Sequence, residues 1–514
     1  MHVRQVKLKL TNSQKVQLNK MFFIAYKIYV ICVKKAQKEL RLLNRNKKYK
    51  YLIHLYGIYK QEINKLEETK NKLNSKKKID KEQIKLINNK IKESKNKLKE
   101  ISNKLNKITN SYCLNRTNLE KYLTVQSHKY KHILTSTQIQ CIADNVAKSV
   151  DKYLYGNGKA VHIKKYTEFN TIAQKAFNGF KYNGYDIVFM KQRFKLKGNI
   201  KFNPEDINTL ELKRIEFNSG YEYYINFILN KPQPKRLAVG KCEGGIDPGV
   251  STVAIATDDT CLLEELAPKC KDYNRQIAHL QKLFDTSIRS TNPSAYNADG
   301  TIKKGTKLIY SKHAKYLKRK IRVLYRKKSN YTQCLHRNLA NRIISNCNTL
   351  KIEDMDFKAL AKRSKNLERS EKISTVQNKD GTSKQIHKYK KRKRFGKSVS
   401  DRSPGLFVKI LTDKCKLYEV KLNKINTNKV KASKYNHKTN KYEDHKLSER
   451  TKLIGKDLVQ RDLYSAFLIK NVNDDLETVN QAKCKKEFKC YLENQNKEIA
   501  RIKDTGIKNK NFGF

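Results

Sequence analysis

The sequence predicts an α+β multi-domain protein, and three observations carry that reading. Short segments of alternating polar and apolar residues open the chain and return across 160–230. That is the period-two pattern of half-buried strands. Between them Ile84, Ile87, Ile91, Leu98, Ile101, Leu105 and Ile108 fall on the a and d positions of a heptad, with only Ser94 out of place, the pattern of a coiled-coil seam. Further on, Gly244 to Thr257 reads as a buried strand, a carboxylate, a tight turn and a returning apolar strand. At 514 residues the chain has room for roughly two to four domains.

Residues 2–10 alternate as one strand, and Thr11 to Ser13 can cap the helix that follows, whose core face is Met21–Val33. That apolar run is broken by Lys27 and is too short to span a bilayer. It also lacks a signal-type cleavage site, so it reads as a core helix with no membrane partner. Ile63, Leu66 and Leu73 precede the heptad stripe, and Asn74-Ser75 and Asp80 mark a break. Residues 50–110 are therefore expected to form an antiparallel helical hairpin with basic outer faces. Ile139, Ile142, Val146 and Val150 give a further helix over 134–155, ended by Tyr155-Gly156-Asn157-Gly158. Strands are expected at 161–163, 187–189, 194–196, 210–215 and 221–229. With the N-terminal strand they predict a small β-barrel from residues 1–12 and 156–235, interrupted by a helical lobe over 13–155. Lys231-Pro232-Gln233-Pro234-Lys235 links it to the next domain.

The chain carries 113 Lys+Arg against 48 Asp+Glu, a net charge of +65. Such an excess repels itself in a compact state unless a polyanion neutralises it, and nucleic acid is the obvious counter-charge. The 29 Tyr and 18 Phe offer stacking surfaces among the lysines. The 11 cysteines are scattered, with no Cys-x-x-Cys, so neither a zinc ribbon nor a disulfide framework is indicated. They read as reduced thiols of a cytoplasmic protein. In the basic helical region 271–347 a turn-rich stretch, Thr291 to Gly305, places Asp299-Gly300 at the tip of a hairpin or lid. Beyond it Lys315, Lys318, Arg319, Arg322 and Arg326 share a helical face opposite Leu317, Ile321 and Leu324. Such a face suits contact with phosphates, and a plain solvated face answers to the same residues. The runs at 362–365 and 388–394, including Lys390, Arg392 and Arg394, read as a basic surface loop over 361–394 that can contact nucleic acid.

The candidate chemistry is carried by acids. Asp247 stands where a core strand turns at Pro248-Gly249, and burying a charge there demands a partner such as a divalent metal. A plain Asp-Pro-Gly turn answers to the same residues. Glu353 ends the short strand Thr349–Ile352, and Asp462 lies in the first turn of an amphipathic helix opened by Val459-Gln460-Arg461. Taken singly, Asp462 is also explained by the helix dipole. A strand-end Asp, a strand-end Glu and a helix-start Asp, in that order, form the arrangement of the RNase H-like nuclease fold. Three such acids can hold two divalent cations about 3.5–4 Å apart, and oxygen-only ligands favour magnesium or manganese.

Gly245-Ile246-Asp247-Pro248-Gly249, Lys351-Ile352-Glu353-Asp354 and Gln460-Arg461-Asp462-Leu463-Tyr464-Ser465-Ala466 resemble the three RuvC motifs of TnpB-like proteins. These are transposon-encoded RNA-guided endonucleases, similar to the small type V CRISPR effectors. Phe395-Gly396-Lys397-Ser398 through Ser403-Pro404-Gly405-Leu406-Phe407 looks like the family's segment between the second and third motifs. The resemblance covers roughly 245–470 by motif and the N-terminal part by layout. It implies a RuvC-like nuclease over 236–360 and 395–475, with a helical and lid insertion at 271–347, and a wedge-like barrel with a helical recognition lobe. It further implies catalytic, metal-binding roles for Asp247, Glu353 and Asp462, and nucleic-acid contacts that include Arg461. Its partners are a guide RNA and a double-stranded DNA target in a prokaryotic, nucleoid-associated setting, with Mg2+ or Mn2+ and no small-molecule cofactor.

One departure concerns the four-cysteine zinc ribbon that family members commonly carry before the third motif. Here residues 425–455 hold no cysteine, and His437 with His445 makes a poor zinc site. No zinc is expected, and a hairpin or loop takes the ribbon's place. Residues 476–514 read as a basic C-terminal tail, with Cys484 and Cys490 in a Lys-rich helix-like segment, without assignable chemistry. Two other functions answer to parts of the same sequence: a DNA transposase or resolvase without a guide, and a non-cleaving nucleic-acid scaffold. The acids cannot separate the first of these from a guided nuclease, whereas a pure binder has no use for clustered negative charge facing phosphates.

Overall fold

The computed structural model describes residues 2–74, 81–156, 158–175, 180–189, 192–198, 203–362, 368–377, 382–389, 395–444, 449–506 and 512–514. The chain divides into two units, Met1–Gln233 and Pro234–Phe514.

The first unit opens with β1 (His2–Lys9), followed by α1 (Asn12–Leu43). Thr11 and Gln14 form a capping box that satisfies the first orphan N–H groups of α1. By length and composition α1 is apolar enough to cross a membrane, but Met21, Phe22, Ala25, Ile28, Cys32 and Val33 are buried in the unit's core. Then come α2 (Lys47–Asn74) and α3 (Lys81–Asn110). Lys95 of α3 pairs with Glu67 at 3.1 Å, Lys97 lies over Tyr59, and Asn46 just before α2 meets Tyr112 just beyond α3. Rising numbers on one helix meet falling numbers on the other, so the hairpin is antiparallel. Ile63, Ile91, Ile101 and Leu105 are buried along the seam, with Ser94 among them. Short α4 (Arg116–Tyr122) and α5 (Thr124–Lys129) lead to α6 (Ser136–Tyr155), which a second capping box, Thr135 with Gln138, begins.

The strands β2 (Thr171–Lys175), β3 (Phe180–Tyr182), β4 (Asp186–Phe189), β5 (Gln192–Leu196), β6 (Ile207–Phe217) and β7 (Gly220–Leu229) join β1 in the order β2-β6-β7-β1-β5-β4-β3. All pairs are antiparallel. Among the described residues no pairing joins β2 to β3, so the order is that of an open sheet and not the closed barrel expected. Residues 161–163 are not a strand either. Their carbonyls are taken by helix side chains instead of a ladder: Gln37 donates to the Val161 carbonyl and the Tyr29 hydroxyl to that of His162.

The second unit is built on β8 (Cys242–Pro248), β9 (Thr252–Thr257), β10 (Cys261–Glu265), β11 (Cys347–Glu353) and β14 (Lys421–Ile425). Their order is β10-β9-β8-β11-β14. β8, β9 and β10 run antiparallel, and β11 and β14 run parallel to β8. The connections are α7 (Cys270–Thr291), α8 (Lys312–Asn346), α9 (Phe357–Ala361), β12 (Arg369–Gln377), β13 (Ser383–Tyr389), α10 (Gly396–Arg402) and α11 (Pro404–Tyr418). After β14 follow α12 (Thr427–Val430), β15 (Tyr435–Asn436), β16 (Lys441–Tyr442), β17 (Thr451–Ile454), β18 (Asp457–Gln460), α13 (Arg461–Lys470) and α14 (Gln481–Asp504).

The period of two sorts β9 between two cores. Ala254 and Ala256 face a cluster with Leu463, Ala466 and Phe467 of α13 and Phe488 and Tyr491 of α14. Val253 and Ile255 face the other way, with Ile246, Leu350 and Ile352, onto Ile343 and Ile344 of α8 and Phe407 and Leu411 of α11. Both faces of the sheet are thus covered, which is why β9 is buried throughout. Two expectations change. The basic loop over 361–394 contains an antiparallel hairpin, β12 with β13. The supposed tail carries α14, whose Cys484, Phe488, Tyr491 and Ile502 are buried.

Candidate active site

β8 and β11 are adjacent and parallel, with Ile246 opposite Ile352. The next residues along, Asp247 and Glu353, therefore emerge side by side at the C-terminal ends of the two strands. Asp247 does not leave the sheet: it pairs with Ala254, and Pro248 with Val253, before a short turn returns the chain to β9. Gly249 is required by space and not by a left-handed φ, since a Cβ there would lie 2.8 Å from the Thr252 carbonyl oxygen.

Asp462 reaches the same place from α13, which lies directly on β8. A Cβ on Gly245 would stand 2.1 Å from the Ala466 carbonyl oxygen and 2.3 Å from the Lys470 nitrogen. Only glycine permits that approach. Both ends of α13 are pinned. Gln460 accepts from the Leu463 N–H at the N-cap, while its own N–H donates to Oε1 of Gln495 on α14. At the other end the Lys351 ammonium donates to the carbonyls of Lys470 and Val472, as suits a helix C-terminus. Lys470, almost wholly buried, bridges Asp258 and Glu487, each at 2.8 Å.

The carboxyl groups of Asp247 and Glu353 are in hydrogen-bonding contact. Two ionised carboxylates cannot make that contact without a proton or a cation between them. Burial lifts the Asp247 carboxyl well above the usual carboxylate range, the charges of Glu353 and Asp462 lift it further, and Arg461 opposes them. Burial also raises Glu353. Asp462 is engaged differently. Its Oδ1 accepts from Nε and Nη2 of Arg461 at 3.1 and 2.9 Å, and its Oδ2 lies 3.5 Å from Nη1 of Arg450. Among the described residues no group of three His, Cys, Asp or Glu side chains stands ready to hold a metal ion as it is. The donor chemistry nevertheless fits one: oxygen ligands only, with a carboxyl pair that repels itself when ionised.

The remaining candidates fall into three groups. Lys315 and Lys318 are exposed on α8, whereas Arg319, Arg322 and Arg326 are half-buried and make contacts within the protein. Lys318 also lies over the Tyr310 ring. The stripe is therefore divided and not uniformly presented. Arg461 is turned onto Asp462 instead of outward. Lys390, Arg392 and Arg394 lie outside the described residues. In the turn-rich stretch Thr291 to Gly305, Asn297 and Thr301 pair around Gly300, whose φ is 76°, Asp299 accepts from Thr301, and Tyr296 bridges Ile302, so Asp299-Gly300 stand at the tip of a tight turn.

Where a ribbon was missing, two small hairpins stand, β15 with β16 and β17 with β18. His437 is a core residue: fully buried, its Nδ1 lies 2.6 Å from the Tyr464 hydroxyl, and its ring packs against Phe488. The segment 395–407 acts as a clasp. Asp401 binds Lys328 of α8 at 2.6 Å and Asn274 of α7, and Arg402 binds Glu265 of β10 at 2.7 Å.

No protein-family model matches the chain, and no curated protein does. Among solved structures it is similar to a cryo-EM structure of a Cas12f1-sgRNA-target DNA complex, with a TM-score of 0.41 and 11% identity over 91% of this chain and 98% of that one. It is also similar to a CRISPR-Cas12f ternary complex, with a TM-score of 0.25 and 14% identity over 92% and 99%. Both likenesses are loose.

Proposed function

We propose that this protein is an RNA-guided, divalent-metal-dependent DNA endonuclease of the transposon-encoded kind, with an RNase H-like, RuvC-type nuclease domain in its second unit. The observation that carries the reading is the carboxyl contact of Asp247 with Glu353 at neighbouring parallel strand ends, with the charge of Asp462 felt at the same point. A protein that only binds nucleic acid has no use for facing acids that repel phosphate and each other. Support for the guide comes from the three motifs and the layout of the chain. Support for a polyanionic partner comes from the net charge of +65.

Asp247, Glu353 and Asp462 would hold Mg2+ or Mn2+. When bound, such ions activate water and neutralise charge developing on the scissile phosphate. The chain itself supplies rigidity. Two of the acids sit on paired strands and the third on a helix that Gly245 lets rest against them, so all three are carried by rigid elements. Sequence choice would come from base pairing, with the protein reading backbone shape and a short flanking motif.

The test is to express the chain with its flanking genomic DNA, sequence the RNA that copurifies, and assay cleavage of a matched DNA in magnesium. A discrete RNA that directs cutting, lost in Asp247→Ala, is expected. Heterogeneous RNA with RNA-independent cutting would move the reading to a recombinase without a guide, and no cutting would move it to a scaffold.

A further inference from the structure

Arg461 donates two hydrogen bonds to Oδ1 of Asp462, and Arg450 forms an ion pair with its Oδ2 at 3.5 Å. A divalent cation at Asp462 competes with these guanidinium groups, because positive charges brought to one carboxylate repel at contact distance. In this arrangement Asp462 is paired with arginine, and no ready three-ligand group stands among the described residues. The backbones behind the arginines are fixed. The Arg461 N–H donates to the Arg450 carbonyl at 2.9 Å, and Arg461 Nη1 donates to the Glu449 carbonyl at 2.9 Å. Gly513 presses so closely on Arg450 that a Cβ there would lie 2.4 Å from the arginine's own. The Arg450 side chain still keeps 25% of its surface open, and that of Arg461 12%. Arg450 also comes from the cysteine-free stretch 425–455, which was expected to hold a hairpin or loop in place of a zinc ribbon.

We propose that Arg450 and Arg461 form a latch on Asp462 that nucleic-acid phosphate opens, releasing the third carboxylate to the metal site only when a backbone lies against it. The proposal rests on the reading of the three acids as a metal-dependent cleavage centre. Phosphate is the natural competitor, since it offers the same planar, two-oxygen face to a guanidinium as a carboxylate does. The exchange conserves charge pairing: the arginines pass from carboxylate to phosphate, and the carboxylate passes from arginine to cation. Coupling of this kind is reciprocal, so backbone binding tightens metal binding by the factor by which metal tightens backbone binding. It gives the ribbon-replacing hairpin a task, which is to make the site sense its substrate. Arg450 and Arg461 are here positioning residues.

The test is Mn2+ binding to the full-length chain stripped of nucleic acid, followed by electron paramagnetic resonance of free Mn2+. It is run alone, with a short single-stranded phosphodiester DNA, and with the same sequence as an uncharged methylphosphonate, each corrected for Mn2+ held by the DNA itself. The wild type is expected to bind Mn2+ about tenfold more tightly with the phosphodiester and unchanged with the methylphosphonate. Arg450→Gln, and Arg450→Gln with Arg461→Gln, checked for folding by circular dichroism, are expected to bind tightly without DNA and to lose most of the response. Equal wild-type affinity in all three conditions, or weaker binding by the variants without DNA, would overturn the latch while leaving the metal centre standing. Binding that Glu353→Gln fails to weaken, or no binding at all, would overturn the metal centre and the latch with it.

Discussion

At the scale of single residues, Asp247 is held in a state that costs the folded chain stability. A carboxyl raised above its unfolded value binds its proton more tightly when folded. Its contribution is therefore fully present below the ordinary 3.8 and is lost as pH climbs through the raised value. Asp247→Asn removes the charge that burial and Glu353 oppose. The variant is expected to gain about 1 kcal/mol near neutral pH without metal and to lose the acidic part of the pH slope, both read from thermal midpoints. His437 has the opposite sign. Burial, with Lys438, Lys485 and Lys452 nearby, lowers it from 6.5 to about 4. The unfolded chain thus takes a proton that the folded chain refuses. Stability present above pH 6.5 is expected to fall by up to about 3 kcal/mol as pH drops toward 4, and His437→Asn should flatten that decline. An unchanged slope in the variant would contradict the assignment. The residue types of the site were legible in the sequence because each acid sits at a patterned break, strand into turn or loop into helix. The arginine pairing of Asp462 was not, since nothing local marks Arg450 as a neighbour of a residue on the next helix.

At the scale of elements, the site depends on how closely α13 lies on β8. Gly245→Ala places a methyl group against the backbone of α13, where no side-chain rotation relieves it. The variant is expected to lose about 3 kcal/mol, measured by denaturant unfolding, and to lose metal binding as Asp462 is pushed away. A variant that folds and binds as the wild type would show that α13 does not set the geometry. α14 is the element whose helical character shows in the sequence but whose place in the core does not. Cys484, Phe488, Tyr491, Gln495, Glu498 and Ile502 follow the helical period and are all buried, but the stripe is interrupted by two polar residues and set among lysines. Gln495 and Glu498 are buried because they cap backbone groups of Gln460 and Leu263, a need that hydropathy does not register. The hairpin of β12 and β13 was hidden for a related reason: its pairing has a bulge between Arg369 and Ile373, and its sequence is charged on both faces, so no alternation stands out.

At the scale of the whole molecule, strand patterns and heptads located the helical hairpin and the sheet of the first unit, because both bury one apolar face. That the sheet stays open instead of closing into a barrel was not legible, since closure depends on register and tilt, which alternation leaves undetermined. In the second unit the motifs placed the acids far apart in sequence, and the parallel pairing of β8 with β11 explains why two of them meet. The chain carries 113 basic against 48 acidic residues, and on the proposed reading that excess would draw a phosphate backbone to the molecule. The most direct test of the acidic centre is magnesium-dependent cleavage of a DNA matched to the copurified RNA, comparing the wild type with Asp247→Asn, Glu353→Gln and Asp462→Asn. Each substitution is expected to reduce the rate about a thousandfold or more while RNA binding is kept. Undiminished cleavage by any one of them, or cleavage that persists when the metal is chelated, would contradict the account.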